Sequence, residues 1–199
     1  MRTDYSDVFQ DPAAVHKYAA VVYAPGTYAS AISRRQRAYL RRLVRHEYRH
    51  RRPVQHDFGC GTGRAIRLLS GLVREAHGYD SSPAMLAGAQ AAGVVASWHE
   101  IPESGPAPAP SQVAGPAIVT VFRVLLNAPP ETRQRAVEFA ARALPEPGSG
   151  VLVVENHGHA RSLRHLSRRR RAGDPWFNEL SHDEVAELLG RHGFRVVRR

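Results

Sequence analysis

At 199 residues and 43% hydrophobic content, the chain is sized for one folded domain with a real core. No apolar run nears the roughly 18–20 residues of a membrane span, the opening MRTDYSDVFQDPAA lacks a signal-peptide centre, and a lone cysteine, Cys60, rules out an internal disulfide framework, so a soluble cytoplasmic protein with no membrane partner is expected. The net charge of +10 rests almost wholly on arginine, Lys17 being the single lysine; so one-sided a bias reads as codon composition, and the charge alone is a weak hint of a polyanion.

Residues 1–30 carry several aromatics (Tyr5, Phe9, Tyr18, Tyr23, Tyr28) and read as a partly helical lead-in. Residues 31–50 repeat apolar positions at Ile32, Tyr39, Leu40, Leu43 and Val44, an amphipathic helix that Pro53 ends. From there strand and helix patterns alternate. Strands are expected at Val54–Phe58, Glu75–Tyr79, Val94–Trp98, Ile118–Phe122, Val151–Glu155 and Arg195–Val197. Helices are expected after Arg64, over SSPAMLAGAQAA with Ser81 or Ser82 as N-cap and Pro83 in the first turn, over Glu131–Leu144, and over Ser181–His192, where Ser181 and Glu184 form a capping box. PESGPAPAPSQVAGP reads as a Pro-rich surface loop. The alternation implies a doubly wound, Rossmann-like, mostly parallel sheet with helices on both faces. An N-terminal helical lid, residues 1–52, would cover a core of residues 53–199.

The first strand runs into VQHDFGCGTGR, which places Gly59, Gly61 and Gly63 in a strand-to-helix turn. Glycine permits positive φ and close approach of a ligand, and the following helix N-terminus offers free N–H groups. The spacing is G-x-G-x-G, not the G-x-G-x-x-G of dinucleotide folds, and Asp57 stands two residues before the first glycine. A carboxylate there disfavours a pyrophosphate and suits a ligand with a cationic or neutral donor. Asp80 ends the second strand, where an acid bonds ribose hydroxyls in such folds. Together the two acids fit a nucleoside that carries an amino acid.

DFGCGTG, GYDSSPAML and ALPEPGSGVLVVEN together resemble the class I S-adenosylmethionine-dependent methyltransferases, over roughly residues 54–197. The resemblance implies S-adenosylmethionine as cofactor, with Gly59, Cys60, Gly61 and Gly63 along its methionine side, Asp80 on the ribose, and Ser81 and Met85 beside the adenosine. Many relatives carry an Asp after the third strand for the adenine amino group. Here Ser97 could accept that bond and Trp98 could stack on the ring. Relatives also often have an Asp opening the fourth strand, where this chain has Ala117, and close with a β-hairpin of strands six and seven, where this chain stops at Arg199 just after strand six.

Because ligands sit beyond the carboxyl ends of the strands, Phe122 and Arg123 are expected near the methyl donor and Asn127 near the substrate, although Asn127 reads as readily as a helix cap or turn residue. His157, after strand five, is the candidate general base; a surface histidine in an 11-histidine chain reads as readily. Tyr18 in the lid and Trp176, beside Phe177 and the arginine run RHLSRRRRAG, are candidate substrate contacts. HEYRH at 46–50 matches a zinc-protease signature. It is surrounded by arginine and followed by no third ligand at a familiar spacing, so it reads as a solvated helix face, and no metal is expected. The expected activity is methylation of an O, N or C atom of a small molecule, in bacterial secondary metabolism. An RNA methyltransferase and a non-catalytic cofactor-binding domain are the alternatives; no RNA-binding module or N-P-P-Y-like signature is evident, so a small molecule and not a nucleic acid is the expected partner.

Overall fold

The structure, a computed structural model, describes residues 9–17, 20–21, 24–111, 114–125, 128–155 and 180–197. Six helices and five strands alternate along them. These are α1 (Pro12–Lys17), α2 (Tyr28–Tyr48), β1 (Val54–Phe58), α3 (Arg64–Leu69), β2 (Glu75–Asp80), α4 (Pro83–Ala91), β3 (Ser97–Glu100), β4 (Ala117–Phe122), α5 (Pro130–Ala143), β5 (Gly150–Glu155) and α6 (His182–Gly190). All strand pairs are parallel, in the order β3-β2-β1-β4-β5. The order reverses at β1, so the crevice between the ends of β1 and β4 is where such a sheet binds ligands.

Every residue of β1 and β4 is buried, as expected of central parallel strands covered on both sides. Alternation sorts the side chains. Phe58, Tyr79, Val119 and Val121 pack with Phe139 of α5 and Val185 and Leu189 of α6 on one face. Ile118 and Phe122 pack with Leu40, Val44 and Tyr48 of α2 and Leu68 and Leu69 of α3 on the other. Tyr48 fastens α2 to the sheet edge: its hydroxyl donates to Ala117 O at 2.6 Å and accepts from Val151 N at 3.1 Å. Caps follow the sequence. Thr27 Oγ1 accepts from Ser30 N, Ser82 Oγ from Met85 N, and Ser181 and Glu184 complete the capping box on α6.

Three expectations change. The third strand is Ser97–Glu100, not Val94–Trp98, because Val94 turns inward to pack with Ile66 and Ala76 at the end of α4. Arg195–Val197 forms no strand among the described residues: Gly193 turns at φ 81°, Phe194 N closes on Leu189 O, and Val197 points to solvent. The Pro-rich segment after β3 is more than surface loop. Ile101, Ala107 and Pro110 are buried, and Arg135 and Arg142 hold its carbonyls at Pro102, Glu103 and Ala107.

Candidate active site

The glycine turn adopts the backbone that its residues permit. Gly59, Gly61 and Gly63 have φ of 68°, 53° and 74°, all left-handed, where a side chain costs about 1 kcal/mol or more. A Cβ on Gly61 would meet nothing nearer than Met85 Sδ at 3.8 Å, so the missing side chain leaves open space over the turn. Gly59 and Cys60 donate their N–H groups to Tyr79 O at 2.8 and 3.0 Å, which ties the turn to β2.

Asp80 braces the same turn from the other side. Its Oδ2 accepts from Gly61 N at 2.7 Å and its Oδ1 from Ser82 N at 2.9 Å. A carboxylate has about four acceptor positions, so capacity remains toward the crevice. Burial pushes its pKa up, partly offset by these backbone donors. Asp57 lies within β1, opposite Gly78 and Thr120, and is only 2% exposed. Its Oδ1 accepts from Thr120 Oγ1 at 2.6 Å. Burial raises its pKa to about 7, against the lowering pull of Thr120 and of the Arg64 guanidinium.

These groups open into one cavity of about 940 Å³. Of the residues expected at the cofactor, Asp57, Gly59, Cys60, Gly61, Asp80, Ser81, Met85, Phe122 and Arg123 line it. Gly63, Ser97 and Trp98 do not. Ser97 and Trp98 open β3 beside His77 and Gly78, three and two residues short of its carboxyl end at Glu100. The Trp98 indole instead lies against Gly78 and Gly63, where either Cβ would strike it. At the true end of β3 the wall is made by Ile101 and Glu103. A strand ending at Trp98, two residues before Glu100, does not reach them.

Phe9 and Gln10 also line the cavity. Ser82 Oγ donates to Phe9 O at 2.5 Å, and Gln10 Nε2 to Ser81 O at 3.4 Å. Arg64, first residue of α3, reaches across the crevice mouth: it donates to Glu155 Oε2 at 2.6 Å and to Gln36 Oε1, and its guanidinium stands 5.4 Å from the Phe122 ring. Arg123 takes φ 64° at the tip of β4, a strained conformation for a residue with a side chain. Beyond it Val124, Ala128 and Pro129 continue the wall. Tyr18, Asn127, His157, Trp176 and Phe177 lie outside the described residues, as does the arginine run at 164–171. In HEYRH, α2 stops at Tyr48, so His46 and His50 do not share a helical face, and both are exposed.

The residues present fit an adenosyl amino-acid ligand: an acid at the end of β2 with acceptor capacity to spare, a turn stripped of Cβ atoms, and a buried acid with a near-neutral pKa at the crevice floor. The family whose profile covers residues 28–199 is described as a methyltransferase domain. No curated protein matches the sequence. Among solved structures, the magnesium protoporphyrin IX methyltransferase of Synechocystis PCC 6803, with bound SAH, superposes with a TM-score of 0.65 at 15% identity, over 97% of this chain and 89% of that one. The DhpI–SAH complex gives 0.59 at 18% identity, over 96% and 89%. The [4+2]-cyclase SpnF gives 0.59 at 21%, over 87% and 61%. With its family profile spanning most of the sequence and its five-stranded sheet, the chain belongs to the class I S-adenosylmethionine-dependent methyltransferases.

Proposed function

We propose that the chain methylates a small-molecule acceptor held at the β4 end of the cavity. The observation that carries this reading is the cavity's extent: about 940 Å³ in one continuous space, past the glycine turn to Phe122, Arg123 and Pro129. That is the upper range for small-molecule sites, with room for a cofactor and a modest second ligand. Bound S-adenosylmethionine supplies a sulfonium-activated methyl group. The chain's part is to hold and orient. Asp80 accepts from the ribose hydroxyls, Asp57 places negative charge toward the cationic amino-acid end, and Met85 with Ile101 encloses the adenine. Phe122 and Arg123 set the acceptor's approach to the methyl group, since in-line positioning supplies much of the rate.

Residues 1–52 act in this reading as a lid over a core of residues 53–199. The support is the contact of Phe9 and Gln10 with Ser81 and Ser82, and the bond from Arg64 to Gln36 on α2. His157 remains the proposed general base, with Tyr18, Asn127 and Trp176 as acceptor contacts. A cytoplasmic setting suits the free buried thiol of Cys60, and a small metabolite of bacterial secondary metabolism is the acceptor class we infer. Among the described residues no helix is long and apolar enough to cross a membrane.

Calorimetry with S-adenosylmethionine, its demethylated product and NAD, followed by methyl transfer to a panel of small O-, N- and C-nucleophiles, tests the reading. Micromolar cofactor affinity, about −8 kcal/mol, and turnover of a panel member are expected. Binding without turnover of any acceptor, RNA included, would leave a cofactor-holding domain instead.

A further inference from the structure

The outer face of α2 and the turn after it carry charge that the methyl-transfer site does not use. Between Tyr28 and Arg52 stand nine arginines and one acid, Glu47. All of the nine except Arg41 are exposed. None of those eight side chains makes a hydrogen bond or ion pair among the described residues. Codon composition explains how many arginines a chain has, but not how they are bonded. Of the nine described outside this stretch, seven donate to a protein oxygen, Arg64, Arg135 and Arg142 among them. The eight arginines without such a bond run along α2 and the segment that follows it, from Arg34 to Arg52.

Their spacing sets like charges together. Arg37, Arg41 and Arg45 follow at intervals of four, about 6 Å of rise each, an arrangement that destabilises a helix. The Arg41 pKa is lowered by burial and then by these two neighbours. Tyr28 and Tyr39 are 82% and 46% exposed. Eleven residues apart, they lie on one side of α2, with Arg35 and Arg42 beside them.

We propose that this face binds a single-stranded nucleic acid, its arginines on the phosphates and Tyr28 and Tyr39 stacked on bases. The inference is independent of the acceptor in the cavity. Two other polyanionic surfaces fit less well. A membrane-lying helix needs a free apolar stripe, whereas Leu40, Leu43, Val44 and Tyr48 are spent on the core. A protein interface is depleted of charge at its centre, whereas here guanidinium groups occupy the centre. Exposed aromatics interleaved with arginine match the stacking platforms of single-strand binders, and a duplex offers them no unstacked base.

The test uses the full chain and fluorescence anisotropy with a labelled 20-nucleotide RNA, the DNA of the same sequence, and its duplex. Phosphatidylserine vesicles and polyglutamate serve as competing polyanions. We expect single strands to bind more tightly than the duplex, with log K falling against log salt at a slope of about −3.5 for five phosphate contacts. The RNA and DNA arms decide which strand is preferred, and either preference supports the proposal. The triple variant R35Q/R42Q/R45Q should flatten the slope by about 2, and Y28A/Y39A should weaken single-strand binding severalfold with the slope unchanged. Circular dichroism and melting verify that both variants are folded. Absence of binding at 50 mM salt would overturn the proposal. So would equal affinity for duplex or polyglutamate, stronger retention by vesicles, or an unaltered slope in the folded triple variant.

Discussion

Thr120 Oγ1 donates a 2.6 Å hydrogen bond to Asp57 Oδ1, across the β1–β4 pair at the point where the sheet order reverses. Gln55 Nε2 donates in turn to Thr120 Oγ1 at 3.2 Å. A hydroxyl has one proton, so with Gln55 filling a lone pair the Thr120 proton is directed at Asp57. The relay offsets part of the burial that raises the Asp57 pKa to about 7, and it holds that carboxyl poised between charged and neutral at the crevice floor.

In the protein without cofactor, the contribution of Asp57 to stability is therefore expected to fall as pH rises. A folded pKa above the unfolded value, near 3.9, means the folded state binds more protons between those values. The resulting stabilisation is complete below about pH 4 and lost as pH rises through about 7. Asp57→Asn removes this term while Thr120 can still donate to the amide oxygen. Its stability relative to wild type should improve by about 2–3 kcal/mol between pH 5 and pH 8.5, some 5–10 °C in Tm for a chain of this size. Melting curves at the two pH values measure it. A difference that does not change with pH would show that Asp57 is not titrating there.

Asp80→Ala removes the acceptor for Gly61 N and Ser82 N together with the proposed ribose contact. A lost charge-assisted bond is worth about 1.5–3 kcal/mol, so cofactor affinity should fall roughly 10- to 150-fold. Asp80→Asn keeps an acceptor oxygen and should recover part of that loss. Calorimetry on both variants checks it, and unchanged affinity in a folded Asp80→Ala would remove the ribose role.

The legible parts of this molecule are those written in local chemistry. Three glycines at alternate positions need left-handed backbone, and all three have it. Ser181 and Glu184 form their capping box where the pattern places it. What the sequence hides depends on register. Thr120 and Gln55 sit inside strand patterns, and only the pairing of β1 with β4 brings them to Asp57. Arg64 and Glu155 meet across 91 positions. The third strand starts later than the apolar start of VVASWHE suggests, because Val94 and Val95 belong to the connection after α4, where Val94 packs with Ile66 and Ala76. With the strand ending at Glu100, two residues past Trp98, the indole is a wedge in the sheet and not a ring that could stack on a ligand. The histidines were equally hidden: nothing local announces that His56, His77 and His99 pair ring to ring over β1, β2 and β3.

That histidine row sets an acid limit. His56 and His77 stack at 5.2 Å between ring centroids, and His77 Nδ1 lies 3.2 Å from His99 Nε2. Burial, then the charges on His77 and His99, push the His56 pKa down to about 4. A base with a depressed folded pKa leaves the unfolded state binding more protons, so stability is lost as pH falls from about 6.5 to about 4. The sign is opposite to that of Asp57. His56→Phe keeps a ring against Phe139 and removes the titration. Its Tm should fall less than that of wild type between pH 6.5 and 4.5, by an amount equivalent to about 2–3 kcal/mol. Parallel acid transitions in the two proteins would count against the row as the cause.

The Trp98 wedge yields a prediction free of any ligand. Gly78 carries no positive φ, so a side chain there meets only steric resistance. A Cβ would stand 2.6 and 2.7 Å from Cζ3 and Cε3 of Trp98, and 3.0 Å from Cys60 Sγ. β2 is central and the indole is hemmed by Val94 and Gly63, so Gly78→Ala should cost about 1–3 kcal/mol as overpacking. Trp98→Leu alone should cost a comparable amount through the cavity it leaves. The double variant Gly78→Ala/Trp98→Leu relieves the clash, and its loss should fall short of the sum of the singles by at least about 1 kcal/mol. Urea denaturation of the four proteins closes the cycle. Strict additivity would place the indole somewhere other than over Gly78, and would return Trp98 to the ligand side of the sheet.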